Sequence, residues 1–166
     1  MTVEQAIKTA LDYEEKVRDS YLRAAKNSQD DTGKRMYKVL AKEEQEHVSY
    51  LREKLEELKK TGKIEADKLE TVVPSEKAIA DGVSRLEKHS PKEVQGSERD
   101  LLDNALNLEK ETSAFYEKMV GELGKEGWVF DRFIEIEKGH VAIVQAEMDY
   151  LNGSGYYFDF QDFAMV

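Results

Sequence analysis

Apolar residues recur every three or four positions in four long stretches of the chain, and this period predicts four α-helices. The predicted helices cover residues 2–27, 34–60, 97–123 and 128–152. The first helix has a clear start, because Thr2 can cap it and Gln5 follows three residues later, as in a capping box. Between the first two helices, residues 28–33 have the composition of a turn.

The connections between these helices predict how the helices are arranged. The first and last pairs are joined by short turns, the second of which contains Gly124 and Gly127, so each pair is expected to form an antiparallel hairpin. Residues 61–97 form a long connection with a shorter predicted helix, 75–89, between Pro74 and Pro91. This order predicts an all-α fold, a four-helix bundle with one long crossover. An extended coiled coil is the alternative, but the apolar positions do not keep a strict heptad.

The two hairpins resemble each other in sequence. ALDYEEKVRDSY (10–21) matches ALNLEKETSAFY (105–116), and LAKEEQEHV (40–48) matches FIEIEKGHV (133–141). Both members of the first pair have Glu four residues after Ala and Tyr seven residues after that Glu. Both members of the second pair contain Glu-x-x-His-Val. The hairpins therefore look like copies of one unit, and each copy places carboxylates within an apolar stripe.

These repeated polar residues are candidate metal ligands. Residues three apart on a helix lie on one face, so Glu-x-x-His can direct a carboxylate and an imidazole at one ion. The six candidates, with one Glu from each remaining helix, are Glu14, Glu44, His47, Glu109, Glu137 and His140. Their four carboxylates balance two divalent ions, and without metal their burial would cost several kcal/mol per charge. A single Glu-x-x-His arises readily by chance, and a lone helical His is usually structural, but the paired set favours a di-metal site.

Composition and charge narrow the classes of partner. The net charge is −10 and no cluster of Lys and Arg occurs, which argues against nucleic acid and anionic membranes. With no cysteine, the chain cannot form a disulfide, a cysteine-based zinc site or an iron–sulfur cluster. No apolar run approaches the roughly 20 residues of a membrane span, and the first residues lack a signal-peptide pattern. A cytoplasmic location is expected.

The six candidate ligands resemble the ligand set of the rubrerythrin and bacterioferritin branch of the ferritin-like superfamily, over residues 3–152. The resemblance implies a ferritin-like bundle with two iron ions, or manganese, in which ferrous iron is oxidised by hydrogen peroxide or dioxygen during oxidative-stress defence or iron handling. The sequence does not decide which carboxylates bridge the ions: Glu14 and Glu109 are terminal or bridging ligands, and in the symmetric members of the family the Glu-x-x-His glutamates, here Glu44 and Glu137, bridge more often. Tyr21 and Tyr116 occupy positions where such proteins carry a catalytic Tyr, with core packing as the alternative reading. Since the chain has no cysteine for a rubredoxin domain, the resemblance implies an external electron donor such as a rubredoxin-like protein.

Two departures from the family pattern keep other functions open. Thr112 stands where rubrerythrins carry an additional Glu, and the neighbouring Glu111 points about 200° around the helix from Glu109. The crossover is also longer than in compact bacterioferritins, which argues against a closed storage shell of many subunits. The alternatives are ferritin-type iron storage, an oxygenase acting on an organic substrate, and a non-enzymatic helical adaptor that retains a metal site.

The remaining expectations concern the tail and the support of the ligands. Residues 153–166 are rich in aromatic side chains and are expected to pack on the bundle or on a partner subunit, which predicts a homodimer. The imidazoles need hydrogen-bond acceptors behind them, and Glu15, Asp19 and Asp103 are candidates. His89 has Leu86 three residues before it and is expected at the surface of the crossover.

Overall fold

A computed structural model describes residues 1–65, 68–86 and 92–161, and all regular structure in these ranges is helical. The helices are α1 (Val3–Asn27), α2 (Asp31–Thr61), α3 (Glu76–Ser84), α4 (Gly96–Leu123) and α5 (Asp131–Ser154), with a 3-10 helix (Gly124–Phe130) between α4 and α5. The predicted all-α class and its four long helices are confirmed. His89 and Pro91 lie outside the described residues.

The helix ends follow local capping chemistry. Thr2 and Gln5 form the predicted capping box at the start of α1. Helix α2 begins three residues earlier than predicted, because the Asp30 side chain accepts a hydrogen bond from the Gly33 amide at 2.8 Å. Helix α3 starts after Ser75 but ends at Ser84, short of the predicted 89. Helix α5 starts at Asp131, later than predicted, because the residues before it form the 3-10 helix.

Contacts between α1 and α2 show that they are antiparallel. Arg52, late in α2, donates a hydrogen bond to Glu15, at the middle of α1, at 3.0 Å. Tyr37, early in α2, lies against Tyr21, late in α1, with ring centroids 6.3 Å apart. The short loop between the two helices allows only this return.

Helices α4 and α5 form the second antiparallel hairpin. Arg99, at the start of α4, donates to Asn152, at the end of α5, at 2.9 Å. Tyr116, late in α4, stacks on Phe133, early in α5, with ring centroids 4.8 Å apart. Both predicted hairpins are therefore present.

The long crossover follows from the way the hairpins face each other. Helix α4 is antiparallel to α1. Asn104, early in α4, donates to Ser20, late in α1, at 3.0 Å, and Phe115, late in α4, packs on Tyr13, in the first half of α1, with ring centroids 4.9 Å apart. Because α1 opposes both α2 and α4, those two helices run parallel. The chain between them must return along their length, and the connection between α2 and α4 supplies that return.

The core consists of two apolar clusters with a polar layer between them. One cluster includes Val17, Leu40 and Val144, and the other includes Ile7, Leu51 and Phe133. On each long helix, the candidate metal ligands lie between the residues that the helix contributes to the two clusters, and all of them are buried. The helices therefore seal these polar groups between two hydrophobic layers.

The described part of the tail packs on the helices of its own chain. Tyr157, Phe158 and Phe160 are buried, and the Phe158 amide donates to Glu147 Oε1 at 2.9 Å. The homodimer was inferred from exposure of the aromatic tail, so burial of these three rings removes that argument and leaves the dimer as a prediction. No helix in the described ranges combines the length and apolar character that crossing a membrane requires.

Candidate metal centre

The six predicted ligands come together in the polar layer, and each has no exposed surface. Helix α1 supplies Glu14 and α4 supplies Glu109, each from between apolar residues of its stripe. Helices α2 and α5 each supply a Glu and a His three residues apart, which points both side chains inward. Four helices thus direct polar groups at one point.

The six predicted ligands form two overlapping groups that could each hold a metal ion, and a third group joins Glu43 to His47 and His140. One group is Glu14, Glu44, His47 and Glu137, and the other is Glu44, Glu109, Glu137 and His140, with the ligand atoms of each group within 4.8 Å of one another. Both groups share Glu44 and Glu137. Oε1 of Glu44 lies 2.8 Å from Nδ1 of His140, whereas Oε2 lies 3.3 Å from Nδ1 of His47. The two oxygens of Glu44 therefore face the two imidazoles separately.

Several carboxylate oxygens in this centre have no well-aligned hydrogen bond within the described part of the chain, although other candidate ligands lie beside them. They are Oε2 of Glu44, Oε2 of Glu109 and both side-chain oxygens of Glu137. A buried polar atom without a partner costs about 1–3 kcal/mol, and more when it is charged. Bound cations would satisfy these oxygens, so the donor set fits a pair of divalent metal ions.

Glu14 and Glu109 each belong to only one of the two groups and are called the outer carboxylates. Tyr21 and Tyr116 hold these two carboxylates in a reciprocal arrangement. Tyr21, on α1, donates to Oε1 of Glu109, on α4, at 2.6 Å. Tyr116, on α4, donates to Oε1 of Glu14, on α1, also at 2.6 Å. Burial, followed by the nearby carboxylates, raises the pKa of both phenols, so both remain donors at neutral pH. The tyrosine of each hairpin thus orients the outer carboxylate of the other hairpin.

The outer carboxylates and the imidazoles stabilise each other as ion pairs. Burial alone would raise the pKa of Glu14, but His47 and hydrogen bonds lower it to about 2. Burial alone would lower the pKa of His47, but Glu14 and Glu44 raise it to about 10. The same opposition of burial and charge lowers the pKa of Glu109 and raises that of His140.

The two shared carboxylates behave differently from the outer pair. Burial, followed by the charges of Glu14 and Glu109, raises the pKa of both Glu44 and Glu137 well above the usual range. Burial and the neighbouring charges therefore favour the protonated form of Glu44 and Glu137, whereas the imidazoles favour the charged form of Glu14 and Glu109.

Glu43 is a further member of the site that the sequence reasoning missed. Its Oε1 lies 3.2 Å from Nε2 of His140, and it accepts a hydrogen bond from the hydroxyl of Thr71 in the crossover. Such an acceptor fixes the tautomer and orientation of a metal-ligating imidazole. Its sequence signal is an extra Glu directly before Glu44. The second copy has Ile136 there, and Nε2 of His47 has no hydrogen-bond partner among the described residues.

The acceptors predicted behind the imidazoles were the wrong ones. Glu15 accepts from Arg52, Asp19 accepts from Arg18, and Asp103 is exposed. All three lie near the centre in sequence, but their side chains leave the helices on other faces.

The position where rubrerythrins carry an additional Glu contributes no carboxylate. The hydroxyl of Thr112 donates to the backbone oxygen of Leu108 at 2.8 Å, within α4. Glu111 is exposed and does not replace the missing group.

Comparison of the chain with protein-family models, with curated proteins and with solved structures gives no significant match. The case for a metal centre therefore rests on the buried side chains and their mutual geometry.

Proposed function

We propose that the chain is a non-haem di-iron oxidoreductase of the ferritin-like, rubrerythrin-related kind. It oxidises ferrous iron and reduces hydrogen peroxide or dioxygen, in oxidative-stress defence or iron handling. One observation carries the proposal: two overlapping buried ligand groups share Glu44 and Glu137. Two ions that share carboxylates lie close enough to deliver two electrons to one oxidant molecule.

The chemistry of the donors supports iron. Glu14 and His47 would complete the coordination of one ion, Glu109 and His140 that of the other, and Glu44 and Glu137 would serve both. Mixed carboxylate and imidazole ligands suit iron, and manganese accepts the same oxygen-rich set. When bound, ferrous ions supply the electrons for the reaction.

The protein's own contribution is to exclude water, orient the ligands and handle protons. Full burial of all six side chains keeps bulk water away from the centre. Tyr21 and Tyr116 fix the outer carboxylates through their hydroxyl groups. Burial favours protons on Glu44 and Glu137 in the metal-free protein, so cations would displace those protons as they bind.

Anaerobic loading with ferrous iron followed by mixing with peroxide tests this function. Wild-type protein should retain about two iron ions per chain, as the paired-carboxylate bundles do, and should oxidise them rapidly. Glu137→Ala removes a shared ligand and should lose both properties. The matched control is Glu135→Ala, the same change on α5 at a side chain that is 74% exposed. An iron content equal in all three proteins, or no iron in any of them, would contradict the proposal and leave the adaptor reading.

A further inference from the structure

Within the described part of the chain, a row of tyrosines leads away from the centre through Tyr21, whereas the rings that contact Tyr116 are those of Phe115, Phe130 and Phe133. Tyr21 holds Glu109 through a 2.6 Å hydrogen bond, and its ring centroid lies 6.3 Å from that of Tyr37. The Tyr37 ring lies 5.9 Å from that of Tyr157, with 2.9 Å between their hydroxyl oxygens. Tyr157 in turn donates to Oε2 of Glu98 at 2.9 Å. Three tyrosine side chains thus connect a ligand carboxylate, Glu109, to another buried carboxylate, Glu98.

The hydrogen bonds in this row have a defined direction. The single hydroxyl proton of Tyr157 is directed at Glu98, so Tyr37 must be the donor in the bond between the two phenols. Glu98 is fixed as the acceptor by Ser28 and by the amide of Gln29, at 3.0 and 2.7 Å. A proton released at Tyr37 therefore has a continuous path to Glu98.

The row ends near the protein surface. Glu98 and Tyr157 both line a cavity of about 110 Å³, together with Lys92 and Glu93. Lys92 and Glu93 are exposed, so the cavity borders solvent. The far end of the row is therefore within reach of a molecule that approaches from outside.

The second copy of the hairpin lacks this row. The residue that corresponds to Tyr37, 93 positions later, is Phe130. Phe130 packs against Tyr116 with ring centroids 5.6 Å apart, much as Tyr37 packs against Tyr21. The geometry is repeated but the hydroxyl is not. Packing alone accepts Phe at this position, so packing does not explain the hydroxyl of Tyr37.

We propose that Tyr21, Tyr37 and Tyr157 form a relay that carries oxidising equivalents from the centre to the surface beside Glu98, where an external one-electron donor reduces Tyr157. The relay rests on the proposed function, because peroxide at the iron centre is its oxidant. Through this relay, the electrons needed for peroxide reduction enter the protein at Tyr157, beside Glu98.

The steps balance in atoms and electrons. Tyr21 gives one electron to the oxidised centre and its proton to Glu109, and it recovers both when Tyr37 supplies the next electron. As Tyr37 is oxidised, its proton moves to Tyr157 while the proton of Tyr157 moves to Glu98. Tyr157 then passes an electron, with its proton, to the Tyr37 radical.

The cycle closes at the surface. The donor gives one electron to the Tyr157 radical, and Glu98 returns the proton, so every side chain regains its starting state. Two such cycles deliver the two electrons that convert hydrogen peroxide and two protons into two water molecules.

Freeze-quench electron paramagnetic resonance of iron-loaded protein mixed with peroxide tests the relay, with ascorbate as the probe donor. The variants are Tyr37→Phe, which copies the Phe130 arrangement, and Glu98→Gln, which keeps shape but removes the proton acceptor. The control is Tyr13→Phe, the same loss of a phenol on α1 outside the row. Iron content and thermal melting of each variant show whether it folds and loads like wild type.

Wild type and the control should give a tyrosyl radical that ascorbate removes quickly, with a slower reaction in D₂O. In Tyr37→Phe the radical should stay on Tyr21, and its removal by ascorbate should be about 100-fold slower, the usual scale for loss of a positioned proton-transfer group. Glu98→Gln should slow the removal similarly. Unchanged radical decay in Tyr37→Phe, or no radical in iron-loaded wild type that consumes peroxide, would overturn the relay but not the proposed function. Failure of wild type to bind iron would overturn both.

Discussion

At the scale of single residues, the centre depends on which carboxylates are charged. Contact with the imidazoles favours the charged form of Glu14 and Glu109, while burial and charged neighbours oppose the ionisation of Glu44 and Glu137. The repeat and the i, i+3 spacing were enough to predict all six positions, since each side chain lies within an apolar stripe. The protonation pattern could not be predicted from sequence, because it depends on distances between different helices.

The role of Glu43 cannot be predicted from the sequence pattern of its own helix. It lies one position, about 100° around the helix, from the ligand Glu44, so a stripe analysis leaves it beside the site. Its partners, His140 and Thr71, are on α5 and in the crossover. Only the assembled fold brings these three groups together.

Replacement of Glu43 by Gln tests its support of His140. The amide is a weaker acceptor and carries no charge, so metal affinity should fall about 10- to 100-fold, the usual effect of losing such a partner. Isothermal titration of the apoprotein with manganous or cobaltous ion measures this. Glu46→Gln is the control, because Glu46 is exposed on the same helix. Equal affinities for the two variants would show that Glu43 does not support the metal site.

At the scale of helices, the sequence patterns predict which segments are helical more accurately than the residues at which each helix begins and ends. Gly33 was read as part of a turn, yet it lies in the first turn of α2 because Asp30 caps that helix. The reason for glycine there is the tail. A Cβ at this position would lie 2.8 Å from the Tyr157 ring, a contact between positions far apart in sequence that no local pattern reveals.

Replacement of Gly33 by Ala should therefore destabilise the protein by about 1–3 kcal/mol, as overpacking of a filled site does. Gly121→Ala is the matched control, since a Cβ there meets nothing within 4 Å and Gly121 is exposed within α4. It should stabilise the protein by about 0.5–1 kcal/mol. Urea unfolding of both variants measures the difference. If Gly33→Ala were also neutral or stabilising, the tail would not pack against α2 as described.

At the scale of the whole molecule, the raised pKa values of the buried Glu44 and Glu137 link stability to pH. Unfolding releases protons from Glu44 and Glu137 once the pH exceeds the ordinary Glu value of 4.5, because their folded pKa values are raised. The raised pKa of His47 acts in the same direction. Its ion pairs stabilise the folded protein fully below pH 6.5, and this stabilisation is lost as the pH rises to about 10. The lowered pKa of Glu14, about 2, matters only in acid.

Metal-free protein should therefore lose stability, on the order of a few kcal/mol, between about pH 6 and pH 9. Metal binding expels the same protons, so the stabilisation by a fixed concentration of manganous ion should grow over this range. Urea unfolding at several pH values, with and without the ion, measures both trends. A metal-free stability that rises with pH would show that the centre does not hold these protons.

The most direct test of the central claim, that the polar layer is a di-metal site, is anaerobic thermal unfolding with and without ferrous ion. Ligands that bind only the folded state raise its stability, by about 2.7 kcal/mol at 100 times the dissociation constant. Wild type should therefore melt several degrees higher with ferrous ion, and Glu137→Ala should show little change. If ferrous and manganous ions leave the melting temperature of wild type unchanged, and wild type carries no more metal than Glu137→Ala, the buried Glu and His residues do not form a metal centre.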